Sequence, residues 1–179
     1  MTYRTGPNHR TGDERTVMAY QLEAQRTDLA TLLDGLTEEE ARARLVPSLT
    51  TPLGLVTHVT FVEQVWFHHR VAGMSREQVG IPETVDDSFT VAPQATVVEV
   101  RRRYLDACDR SREIAAEHDL DELFDWRGTP VSLRFLYAHL LTELARHVGH
   151  GEILIEQLQA RRGGGERGVE QLPADPDTL

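Results

Sequence analysis

From about Ser132 to Arg161 apolar residues recur at helical spacing without a break. Leu133, Leu140, Leu144, Val148, Ile155 and Leu158 form one broad stripe. A stripe of that kind has to be buried against other helices, and the rest of the chain supplies them. Between Asp13, a plausible N-cap, and about Leu36 the stripe is Met18, Leu22, Leu29, Leu32, Leu33 and Leu36, with Gly35 at the exit. Thr37-Glu-Glu-Glu40 reads as a capping box opening a short helix through about Leu45, which Pro47 ends. Thr51-Pro52 is an N-cap followed by proline at N1. It opens a second long helix carrying Leu53, Leu55, Val56, Val59, Val62, Val65 and Trp66, stopping near Gly73. A third runs from about Gln94 to His118, with Val97, Val98, Tyr104, Leu105, Cys108 and Ile114. The connection at 74–93 is long for a bundle and hints at function. A second connection, 119–130, holds Trp126, Arg127 and Gly128.

No segment alternates with period two for long, so no sheet is expected. The expectation is all-α: a four-helix bundle over 13–161, with a short extra helix, long loops, and flexible termini at 1–12 and 162–179. Periodicity leaves the helix order open.

Charge narrows the partners. The net charge is −10 and the sequence pI about 5.2. A sequence-independent grip on nucleic acid needs basic residues to neutralise phosphates, and an anionic membrane would repel this surface. Neither partner is expected. All 19 basic residues are Arg, which fits a GC-rich bacterial source and removes lysine Schiff-base chemistry. The single cysteine, Cys108, excludes an intramolecular disulfide and a Cys-based zinc site, and reads as a buried small hydrophobe. The first residues hold no apolar run of signal-peptide type, and no stretch reaches membrane-span length. A cytoplasmic protein is expected.

The chemistry concentrates in Glu143-Leu-Ala-Arg-His147-Val-Gly-His150. Spacings of i, i+4 and i+7 put Glu143, His147 and His150 on one helix face, with His139 one turn earlier on the same stripe. Buried polar groups need partners, and imidazole with carboxylate suits a divalent metal. A catalytic metal held by two residues of one helix needs a third ligand and an open position. His58, amid the apolar residues of the second long helix, can supply it. His69 shares that face but lies about 16 Å further along. His9, His68, His69 and His118 read as surface or loop residues, and Glu152 and Glu156 as a solvated face.

Three segments together resemble the DinB-like superfamily of four-helix metal proteins. They are Thr51-Pro-Leu-Gly-Leu-Val-Thr-His58, Pro130-Val-Ser-Leu-Arg134 and Glu143-Leu-Ala-Arg-His147-Val-Gly-His150. Over roughly 13–160 the chain is similar to the actinobacterial branch of mycothiol-dependent S-transferases and maleylpyruvate isomerases. That resemblance implies zinc or nickel, held by a His of the second long helix and two residues of the last. His58 and His147 carry over. The usual i, i+4 His pair is absent, because Glu143 precedes His147 and Arg146 precedes His150; a Glu/His version of the pair is known in the isomerase branch. Both Glu143 and His150 stand as the third ligand. The expected set is His58, His147 and His150, with Glu143 orienting a ligand or acting in catalysis.

The first functional expectation is a metal-dependent transferase or isomerase. It would act on a small electrophile with a thiol such as mycothiol, and Arg127 or Arg134 would hold a carboxylate of cofactor or substrate. The alternatives are a thiol-free metal hydrolase with Glu143 as general base, and a non-catalytic helical module, with a homodimer possible.

Overall fold

The computed structural model describes residues 10–163. The expectations for the remaining terminal residues, His9 included, lie outside the described residues.

Local capping sets most of the helix starts. The side chain of Asp13 accepts from the Thr16 amide and opens α1, Glu14–Thr31. Thr37 and Glu40 close a capping box on the four-residue α2, Glu38–Ala41. Thr51 accepts from the Gly54 amide ahead of α3, Pro52–Glu63, with Pro52 in the first turn. α3 then runs without a break into a π-helical segment, Gln64–Val71. The expected loop at 74–93 contains α4, Arg76–Val79, and a 3₁₀ turn, Asp86–Phe89. Thr96 and Glu99 box the start of α5, Val97–Ala116. Ser132 accepts from the Phe135 amide and opens α6, Leu133–Arg162, a helix of 30 residues.

One expectation is corrected. The connection before α6 is a β-hairpin, β1 Leu123–Trp126 against β2 Thr129–Ser132, antiparallel, with Trp126 opposite Thr129. Its two-residue turn, Arg127-Gly128, has φ of 55° and 82°. Positive φ at both central residues matches the right-handed twist of a hairpin. The side chain of Asp125 accepts from the Gly128 amide at 3.0 Å. Strands of four residues, one holding Pro130, are too short for alternation to register as a pattern.

The α1 and α6 helices pack along each other, and α3 sits between α5 and α6. The core is aliphatic, with Leu22, Leu29, Leu53, Val56, Leu133, Leu136, Leu140 and Leu144 all fully buried. Within it lies a charged cluster. Arg26 of α1 forks onto Glu63, its Nε donating to Oε1 at 2.8 Å and Nη2 to Oε2 at 2.6 Å. Its Nη1 donates to Glu23 Oε1 at 2.5 Å, and Arg112 of α5 donates to the other Glu23 oxygen at 3.0 Å. Glu63 is wholly buried and Arg26 only 5% exposed. Two carboxylates shared between two guanidiniums make a neutral unit, but one that fails badly when a single member is removed. Arg26→Met is expected to lower stability by about 3–5 kcal/mol in chemical denaturation. The double change Arg26→Met/Glu63→Leu should recover most of it. A single variant as stable as the parent would refute this.

Candidate metal centre

His58, Glu143 and His147 come together where α3 faces α6. One ligand-type atom from each lies within 4.8 Å of the others. His58 and His147 are buried, at 4% and 8% exposure, and Glu143 is half-buried. The two imidazole rings meet edge to face, with centroids 4.7 Å apart. Glu143 lies one turn before His147 on α6, and its Oε1 is 3.2 Å from His147 Nε2. Arg146 donates to the other carboxylate oxygen at 3.1 Å.

His58 is held from behind by a residue far away in sequence. Its Nδ1 lies 2.7 Å from the Ser88 hydroxyl in the 3₁₀ turn, and that hydroxyl donates to the Val85 carbonyl at 2.5 Å. The hydroxyl proton is thus committed to Val85, so Ser88 Oγ accepts and His58 Nδ1 carries the proton. That tautomer leaves the Nε2 lone pair free. The neighbouring Phe89 ring stacks on His58 at 4.1 Å between centroids, nearly parallel. Gly54 lets this strap approach α3. A Cβ there would lie 2.8 Å from the Phe89 carbonyl oxygen and 2.9 Å from Thr51 Oγ1. Sequence reasoning missed Ser88 and Phe89; only the length of the 74–93 loop pointed their way.

Burial, with some help from neighbouring His147, pushes the His58 imidazole from its ordinary 6.5 down to about 4. Burial also lowers His147, against the opposing pull of Glu143. Both rings are therefore neutral near pH 7, the state a metal requires. His147 Nδ1 is buried with no hydrogen-bond partner. Two neutral imidazoles and one carboxylate, with an unsatisfied buried ring nitrogen among them, make a donor set that fits zinc or a similar divalent ion.

The other candidate residues fall elsewhere. His150 is exposed and does not join the group; its ring centroid is 5.7 Å from that of His147. Arg134 is taken up by Glu14, at 2.7 and 3.0 Å, and by Asp121, at the opening turn of α6. It lies thirteen residues before His147, about 20 Å along the helix. Arg127 stands exposed at the hairpin tip. His139 is half-buried in an aromatic group, 4.6 Å from the Trp66 ring. His68, expected at the surface, is instead buried in the π-helical segment with Nε2 3.1 Å from the Ala107 carbonyl. An apolar helix face hid it, because its partner comes from α5. Cys108 is buried, and burial drives its thiol well above the ordinary range, so it is no nucleophile.

Residues 17–160 match the family model described as Mycothiol-S-transferase. No curated protein sequence matches the chain. No helix among the described residues is long and apolar enough to cross a membrane.

Two outcomes are expected of the metal-free protein. Its stability should fall as pH drops from 6.5 toward 4, because in that window the unfolded chain takes up a proton on His58 that the folded chain refuses. His58→Gln should flatten that loss by roughly 1–3 kcal/mol, as measured by denaturation across pH. Gly54→Ala should cost about 1–3 kcal/mol by overpacking and push the strap off His58. The His58 pKa, followed by NMR, should then move up toward 6.5; an unmoved value would show that the strap does not depend on Gly54.

Proposed function

The chain belongs to the mycothiol-S-transferase family, and from that premise we propose that it transfers a low-molecular-weight thiol, mycothiol, to a small electrophilic molecule, using a divalent metal held by His58, Glu143 and His147. The convergence of those three side chains is the observation that carries the reading. Bound there, zinc or nickel would act as a Lewis acid that lowers a thiol's pKa and favours the nucleophilic thiolate.

The protein's own contribution is positional. Ser88 holds His58 in the tautomer with Nε2 free, and Phe89 fixes the plane of its ring. Burial keeps both imidazoles unprotonated. Glu143 brings the negative charge that offsets a dication and faces His147 one turn along. It thus stands as the third ligand, a place the sequence left open between Glu143 and His150 while favouring His150. In that role it is not free to act as the general base that thiol-free hydrolysis needs. His58, Glu143 and His147 would hold the ion with three protein ligands, fewer than a closed structural site uses, which would leave it accessible to a thiol. The exposed cation at Arg127 fits a carboxylate of substrate or cofactor. A thiol-using reaction and a lone buried thiol both suit the cytoplasm.

The test is metal content by mass spectrometry on untagged protein, followed by thiol-dependent consumption of an electrophile such as a bromobimane. About one zinc or nickel per chain is expected. His147→Ala and Glu143→Ala should lose the metal and the activity, and His150→Ala should keep both. Metal lost on His150→Ala but kept on Glu143→Ala would restore the other ligand set. Metal-free parent protein with no thermal shift on adding zinc or nickel would overturn the proposal.

A further inference from the structure

The seam between α3 and α6 continues beyond the metal centre. One turn before Glu143 on α6 lies His139, and its ring meets Trp66 at 4.6 Å and stacks on Phe135 at 5.8 Å. Trp126 of the hairpin closes the group, 5.5 Å from Trp66 and 6.0 Å from Phe135. Trp66 belongs to the π-helical segment, a geometry that tends to occur at functional sites. Phe135 is 39% exposed, so the group is open on one side.

Two arginines border it. The Arg70 guanidinium lies over the Trp66 ring, Cζ to centroid 5.2 Å. Its Nε is buried without a hydrogen-bond partner. Arg127 follows Trp126 directly in the hairpin turn, and its charge and that of Arg76 act on the partly buried Arg70, against Asp125. Among the described residues neither arginine makes an ion pair. Two cations without an ion pair, beside an aromatic group that is exposed at Phe135, half-buried at Trp126 and His139 and buried at Trp66, are unusual on a chain of net charge −10. A buried guanidinium N–H without an acceptor is a cost that an anionic ligand removes.

We propose that Trp66, Arg70, Trp126, Arg127, Phe135 and His139 form a recognition subsite for a flat unsaturated or aromatic acid. Its ring lies on the aromatic group, its carboxylate meets the arginines, and its opposite end points along α6 toward Glu143. The inference rests on the metal-site reading for what happens at that opposite end, and names the class of electrophile that the site takes. Arg–carboxylate pairing supplies the charge complementarity, and stacking supplies apolar contact with defined geometry.

The probe is 3-phenylpropanoate, an unreactive aryl acid, with its neutral amide as control. Trp66 and Trp126 are the only tryptophans in the chain, so their emission reports the subsite directly, and calorimetry gives a second reading. Saturable binding of the acid is expected, with and without a chelator, and at least tenfold weaker binding of the amide. Arg70→Gln should weaken the acid by about tenfold, a loss in the range of one charge-assisted hydrogen bond. Arg127→Gln, at an exposed turn and safe for folding, should weaken it at least threefold. Arg102→Gln, on the exposed side of α5, should leave it unchanged. No saturation, equal binding of the amide, or equal weakening by Arg102→Gln would overturn the subsite. Because binding is read without metal, its failure beside one metal per chain sinks the subsite alone. Intact binding beside an empty metal centre sinks only the thiol-transfer reading.

Discussion

A guanidinium almost shut off from water sets the phase of this bundle. Arg26 reaches from α1 to grip both oxygens of Glu63, the last residue of α3 before the helix widens into its π-helical segment. Glu23 and Arg112 extend the grip to α5. A planar fork on a planar carboxylate tolerates little rotation. The rotation of α3 about its own axis is thereby fixed, and with it the direction in which His58, five residues earlier, and Trp66, three residues later, face α6. Apolar packing by itself would permit small rotations at low cost. The buried pair does not, because slipping would leave charge unpaired in a dry interior.

The candidate metal centre draws on three levels of structure. Helix periodicity puts Glu143 and His147 one turn apart. Packing of α3 on α6 brings His58 to them. The 3₁₀ turn then reaches over with Ser88 and Phe89 and fixes the ring from behind. Each level narrows the freedom left by the one before, which is how a donor set is pre-organised without a covalent link. The close approach that Gly54 permits belongs to the same scheme.

Much of the fold was legible because its signals are local. The caps at Asp13, Thr37 and Thr51 sit at their helix starts, and the apolar stripes read at helical period. The hairpin was not legible: it has four residues a side, and what marks it is the positive φ at Arg127-Gly128 rather than any hydrophobic pattern. Arg26 and Glu63 were equally hidden. Each looks like an ordinary charged residue within its own helix, and only their meeting across 37 positions makes them a core element.

The sequence by itself determined that the last helix carries a face of metal-ligating residue types, since the order Glu143, His147, His150 dictates a shared face at about 100° per residue. It also determined the chain's family, through motifs that lie within short local stretches. Tertiary structure alone decided which two of those residues meet His58. That depends on the level at which α3 passes α6, a distance set by side-chain packing and by the Arg26–Glu63 pair. At that level Glu143 and His147 face inward, while His150, nearly a turn further on, faces solvent. Periodicity encodes direction around a helix axis; it carries no information on where a neighbouring helix crosses.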